Sequence, residues 1–281
     1  MKNRLIKTLN IKRFKLVLLL EGLLVGILAG LVIVGYRICL TNGALWLQRI
    51  LAYCKQSIFT IIIWFVILFV IALVVTKLLD WESLISGSGI PQLEGELAGK
   101  IDAKWWRVLI AKFFGGFLAN FSGLALGREG PSIQLGAMVG KGIGKVLKRG
   151  KTEERYLLTC GASAGLAAAF HAPLAGVMFA LEEVHKHFSA PLLISVMTSS
   201  IAADYLMSSI LGMAPVFSFN IHGTLPTQYY WMVIILGIIL GLLGAFYNKA
   251  LLFVQSLYNH SKHLNNYTKL LIPFILSLIH I

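Results

Sequence analysis

Three stretches of about twenty residues with almost no charge decide what this chain can fold into. Residues 16–35 (LVLLLEGLLVGILAGLVIVG) carry one charge, Glu21, while residues 58–76 and 229–247 carry none. Each is near the length of about 20 apolar residues that crosses a hydrocarbon core about 30 Å thick. Hydrophobic residues make up 57% of the 281 and charged residues 13%, a charged share about half that of a soluble domain. These runs predict an all-α, polytopic membrane protein and exclude a soluble enzyme or binding module.

The formal net charge of +13 invites comparison with nucleic-acid-binding proteins, but the charges are placed otherwise. Six of the first fifteen residues are basic (Lys2, Arg4, Lys7, Lys12, Arg13 and Lys15), and an apolar span follows at once. That arrangement predicts a cytoplasmic N-terminus, with anionic lipid contributing about 1 kcal/mol for each basic residue near the surface. No nucleic-acid partner is expected. The span is too long for a secretory signal and no small-residue cleavage site follows it. The expected organisation is a basic cytoplasmic segment over 1–14 and a membrane domain over 15–281. Cys39, Cys54 and Cys160 stand singly in apolar surroundings, without metal-binding spacing, and read as small apolar filler.

Helices are expected at about 15–48 and 58–80, then in shorter pieces at 91–98, 104–122, 131–147, 153–170, 173–184 and 191–211. Longer ones return at 228–262 and from near 268. Short, broken helices at membrane depth must bury their unpaired backbone groups in protein or around a water-filled cavity. Transporters use them to aim partly positive helix N-termini at anions. Pro91, Pro131 and Pro173 mark helix starts, since proline is favoured at the first helical position.

Gly127-Arg128-Glu129-Gly130-Pro131 is the sharpest motif. An ionisable residue at the centre of a membrane helix costs about 2.5–3.5 kcal/mol on insertion scales and so marks function. A self-neutralising Arg128–Glu129 pair in a loop is the bland alternative. The functional reading places the Glu129 carboxylate where an anion would otherwise sit, with Arg128 supplying positive potential at the entrance. In Gly87-Ser88-Gly89-Ile90-Pro91, a hydroxyl at a helix start could donate to a dehydrated anion. The run 161–176 is dense in small residues, which suits close helix packing in lipid, and it leads to Glu182-Glu183. Successive helical residues project about 100° apart, so one glutamate can face the interior while the other meets solvent. A buried glutamate with a raised pKa could carry a proton. Glu182, Glu183, His185 and His187, with His171 upstream, suggest a metal site, but no HExxH pair occurs.

GSGIP at 87–91, GREGP at 127–131 and GLAAAFHAPLAGVMFALEE at 165–183, in that order, resemble the CLC family of chloride channels and chloride/proton exchangers. The resemblance implies a bundle of tilted and broken transmembrane helices, built from two inverted repeats in each subunit of a homodimer in the cell (inner) membrane. It implies that Ser88 coordinates chloride and that Glu129 is the gating glutamate. The backbone around Gly89, Arg128, Glu129 and Gly130 would line the anion site. Glu183 corresponds to the internal proton-transfer glutamate of many exchangers. Chloride and protons would be the transported ions, with no cofactor and no enzymatic chemistry.

Two departures stand out. His171 occupies a position where the family usually has asparagine. After residue 200 neither the GxFxP motif nor the tyrosine of the second repeat is found, so the chain reads as the first repeat plus the start of the second, ending inside a membrane helix. The expected function is chloride/proton antiport gated by Glu129. A chloride channel of the same family and an inactive truncated fragment are the alternatives.

Overall fold

The computed structural model describes residues 2–55, 57–213, 223, 226–260, 268, 272 and 273, with side chains described from Lys15 to Tyr258. Among these residues every regular element is helical. The helices are α1 (Lys2–Cys54), α2 (Ile58–Trp81), α3 (Ile90–Leu97), α4 (Trp105–Phe121), α5 (Glu129–Val146), α6 (Lys151–Phe170), α7 (Pro173–Phe179), α8 (Ala190–Leu211) and α9 (Tyr230–His260). Four of these carry spans long and apolar enough to cross a membrane: Lys15–Cys54, Ile58–Trp81, Ala190–Leu211 and Thr227–Tyr258. Of the helix expected from near 268, only residues 268, 272 and 273 are described, and they are helical.

Two boundaries differ from expectation for local reasons. Helix α1 begins at Lys2 rather than near residue 15, because residues 2–21 contain neither glycine nor proline and their lysines, arginines and leucines are good helix formers. Helix α5 begins at Glu129, two residues before Pro131. The ring is tolerated there because the whole first turn lacks intrahelical acceptors for its N–H groups.

The centre of the fold is a seam between α5 and α6. A Cβ built on Gly140 would lie 2.0 Å from the Leu157 carbonyl oxygen, and one on Gly161 would lie 2.0 Å from that of Gly136. The backbones therefore touch directly, and only glycine fits. Small residues let membrane helices approach this closely and recover dispersion energy where no hydrophobic effect acts between helices. The small-residue run at 161–169 serves this packing.

Helix α8 repeats the device against α1. Gly22 and Gly26 face the backbone of Ser195 and Ser199. The Ser195 hydroxyl donates to the Leu18 carbonyl at 2.9 Å, and that of Ser199 donates to the Cys160 carbonyl at 3.0 Å. Cross-helix bonds of this kind contribute about 0.6 kcal/mol each in membrane proteins. Val25, Ala29, Leu157, Cys160, Ala164, Leu192 and Val196 fill the space between α1, α6 and α8.

The helices also align end to end. Arg149, in the link between α5 and α6, donates to Glu21 near the start of α1's apolar stretch at 2.7 Å. Arg37, further along α1, donates to His171 at the opposite end of α6 at 3.0 Å. By contrast α9 exposes apolar side chains all along its length, Trp231, Ile235, Leu242 and Phe246 among them. Apolar surface this extensive is not left in water, and the chain is an integral membrane protein.

Candidate functional site: two helix starts and a glutamate

The site begins with the turn before α3. Gly87 and Gly89 have φ of +68° and +91°, left-handed values that glycine adopts without steric cost. Two buried side chains hold this turn with three hydrogen bonds. Lys112 of α4 donates to the carbonyls of Ile85 at 2.8 Å and Gly87 at 2.7 Å, and Gln134 of α5 donates to the Leu84 carbonyl at 2.9 Å. With its carbonyls turned toward Lys112 and Gln134, the turn leaves the positive start of α3 and the Ser88 side chain on the other side. Ser88 is exposed, and its hydroxyl oxygen accepts from the Ile90 N–H at 3.3 Å.

Helix α5 starts against this turn. A Cβ on Gly130 would lie 2.6 Å from the Ser88 carbonyl oxygen and 3.0 Å from Ser88 Cα. Gly130 thus lets the first turn of α5 seat itself on Ser88, and the N-termini of α3 and α5 meet. Arg128 is the N-cap of α5 and Glu129 its first residue, in the turn where the helix dipole favours negative charge. Both are half-buried. The Glu129 carboxylate folds back over Gly127, where a Cβ would come within 2.9 Å of its Oε2. Among the described residues Glu129 has no ion-pair partner. Two helix starts plus a hydroxyl form an anion-binding geometry, and here a carboxylate stands beside it on the same helix start.

The structure thus brings Ser88, Gly89, Arg128, Glu129 and Gly130 together. Glu183 is elsewhere. After Phe179, α7 loosens into a π-helical turn over Ala180–His185, which buries Ala180, Leu181 and Val184. Both Glu182 and Glu183 fall on its outer side and are exposed, instead of one facing inward as the 100° rule suggests.

Beside that turn lies a cleft of about 820 Å³ lined by Glu94, Arg155, Tyr156, His185, Lys186 and His187, among others. The Thr159 hydroxyl lies 2.8 Å from the Arg155 carbonyl oxygen and 3.0 Å from His185 Nδ1. Burial and the nearby His187 and Arg155 push the His185 pKa down. The cleft is lined by neither Ser88 nor Glu129.

Sequence reasoning missed Lys112 and Gln134, which shape the anion-facing turn. A lysine alone in the apolar stretch 108–119 was the available signal, since an ionisable residue in such a stretch asks for a buried partner.

Fold and site together define a polytopic membrane protein that gathers broken-helix N-termini around a carboxylate. Residues 70–281 match the family described as "Voltage gated chloride channel". The chain is 35% identical over 271 residues to an H(+)/Cl(-) exchange transporter ClcA from Salmonella arizonae, covering 92% of this chain and 56% of the relative. It is 34% identical over 255 residues to the protein of that name from Citrobacter koseri, covering 86% of this chain and 52% of the relative. The structure of a slow cyanobacterial Cl-/H+ antiporter superposes with a TM-score of 0.85 at 31% identity, over 93% of this chain and 63% of that one. A CLC-type fluoride/proton antiporter shares the fold, with a TM-score of 0.72 at 22% identity, over 94% of this chain and 64% of that one. The chain belongs to the voltage-gated chloride channel (CLC) family. It spans about half the length of the curated relatives it matches.

Proposed function

We propose that this chain contributes the outer gate and one wall of the anion pathway in a chloride/proton exchanger. The observation that carries this reading is the meeting of the α3 and α5 N-termini at Ser88 and Gly130, with Glu129 in the same helical turn. In this reading a dehydrated chloride takes the Ser88 hydroxyl and the N–H groups around Gly89, Arg128, Glu129 and Gly130. Ionised, the Glu129 carboxylate competes for that position. Protonated, it loses its attraction to the helix starts and yields the site. Chloride and proton then move in opposite directions because they exchange places at one locus, with no covalent chemistry.

A cytoplasmic N-terminus in the cell (inner) membrane, taken from the basic segment at 1–14, orients the rest. Helix α1 runs outward and α2 and α3 return; α4, α6 and α8 run outward again, with α5 and α7 inward between them. Arg128, Glu129 and the corner at His171 then lie toward the outside, and Glu183 and the 820 Å³ cleft toward the cytoplasm. The exposure of Glu183 suits a group that collects protons from cytoplasmic water. Pairing of two chains into a homodimer, as the family resemblance implies, belongs to the same reading.

The test is chloride flux in vesicles under an imposed pH gradient, comparing the unaltered chain with Glu129→Ala. The exchanger that holds the unaltered chain drives chloride uphill on a proton gradient, and the one that holds the variant passes chloride with no proton coupling and no dependence on pH. Uphill uptake that survives the substitution intact ends the role given to Glu129. A reversal potential set by chloride alone in the unaltered chain selects the channel reading.

A further inference from the structure

His171 closes α6 in the left-handed conformation, with φ 54° and ψ 42°. Asparagine and glycine are the residues most often found at such a position and histidine also adopts it, so the backbone alone does not select the imidazole. Its ring has polar neighbours on both sides. The Arg37 guanidinium of α1 lies 3.0 Å from Nε2, Asp204 Oδ1 of α8 lies 3.2 Å from Nδ1, and the Ser208 hydroxyl lies 3.3 Å from Nδ1.

These contacts fix the tautomer. A guanidinium has donors only, so Nε2 must present its lone pair to Arg37. The ring proton then sits on Nδ1 and is donated to Asp204, with Ser208 alongside. Neutral His171 is therefore a connector between a cation on α1 and a carboxylate on α8. A second proton on the ring changes this on one side only. The bond to Asp204 becomes an ion pair, whereas Nε2–H now faces the donors of Arg37, and two positive groups oppose each other.

The last turns of α6 run beside the first turn of α5, where a Cβ on Gly165 would meet the Ser132 carbonyl oxygen, which sets the His171–Arg37 pair at the same end of the fold as Arg128, the N-cap of α5. Among the described residues, the ionisable groups around the ring on packed elements are Arg37 of α1, Asp204 of α8 and, beyond Arg37, Arg128 of α5. The last turn of α6 and all of α7 contain none. We propose that His171 is the positioning residue for Arg37: neutral, it holds the guanidinium near the head of α5, and when protonated it lets the guanidinium go.

Resting on the exchange reading above, this makes the positive potential at the outer end of the anion path depend on a proton carried by a group other than Glu129. His171→Asn suits the left-handed backbone and cannot titrate; its amide takes the place of Nδ1 beside Asp204, but the side chain ends short of the position from which Nε2 meets Arg37, so it removes the titrating ring and the Arg37 bond together.

The experiment is ¹⁵N NMR of the histidine-labelled chain in detergent micelles across pH, with the His171→Asn spectrum identifying the ring by difference. The neutral ring is expected as the Nδ1–H tautomer. Arg37→Gln removes a like charge within hydrogen-bond distance and should raise the proton affinity of His171 about tenfold or more, while Asp204→Asn should lower it to a similar degree. A neutral ring protonated on Nε2, or a titration unmoved by Arg37→Gln, overturns the proposal. Should Arg37→Gln not fold, the tautomer and the Asp204→Asn shift decide it. None of these readouts needs transport. A chain that titrates as expected but moves no chloride refutes the exchange reading alone, and one that exchanges but lacks the coupling refutes only the role of His171.

Discussion

The two ends of α5 treat charge in opposite ways. Near its far end Lys141 is fully buried, yet its ammonium meets Glu96, lies 2.7 Å from Asp102 Oδ1 and donates to the Ala103 carbonyl at 2.7 Å. All three donors are used, which ties α5 to the segment between α3 and α4. At its near end Glu129 has a helix start beside it but no ion-pair partner among the described residues. A satisfied buried charge fixes architecture. A charge that no partner holds can be replaced without disturbing the fold.

Substitutions at the two ends should separate stability from function. Lys141→Met leaves the buried Glu96 carboxylate unpaired, and loss of one partner of a buried pair costs about 3–5 kcal/mol. Thermal unfolding in detergent should show it as the largest drop of the set, and a change under 1 kcal/mol would mean that the cluster is solvated. Gly161→Val drives side-chain carbon into the Gly136 backbone. Overpacking costs about 1–3 kcal/mol and occasionally more, and the α5–α6 seam should lose protection in hydrogen exchange. Lys112→Met strands the buried Ile85 carbonyl of the turn before α3, at about 1–3 kcal/mol, while that of the exposed Gly87 can turn to water. In the exchange reading it also weakens chloride binding measured by calorimetry. Glu129→Gln should shift stability by no more than about 0.5 kcal/mol and, in the exchange reading, remove proton coupling, the inverse of the Lys141 result.

Acid should act gently on the satisfied end. The hydrogen bond and charge of Lys141 hold the Asp102 carboxyl below its usual range. A carboxyl with a depressed folded-state pKa contributes stability that is complete above its unfolded value and fades as pH falls through the folded one. A shallow loss of thermal stability in strong acid is expected, and Asp102→Asn should flatten it.

Much of this was legible in the chain itself. The long spans, the short pieces between them and their order follow from apolar run length and from the glycines and prolines that interrupt it. Ser88 and Glu129 stood out because their motifs place polar groups where apolar ones are expected. Lys112, Lys141 and Gln134 did not, since their partners are carbonyls and carboxylates 25 to 50 residues away, and no local pattern encodes such a distance. The exposure of Glu183 was hidden for another reason. The π-helical turn at Ala180–His185 changes the angular step between neighbours, and projection by the ordinary helical angle then points the wrong side chain inward.

The glycine seam has a mechanical meaning. Two helices whose main chains touch at Gly136, Gly140, Gly161 and Gly165 mesh like gear teeth. A slip of one residue would bring bulkier teeth such as Leu135 or Leu158 onto the facing backbone. The pair can therefore travel only as one part. What the seam leaves free is whatever projects beyond it, the side chains at the head of α5 with Glu129 among them.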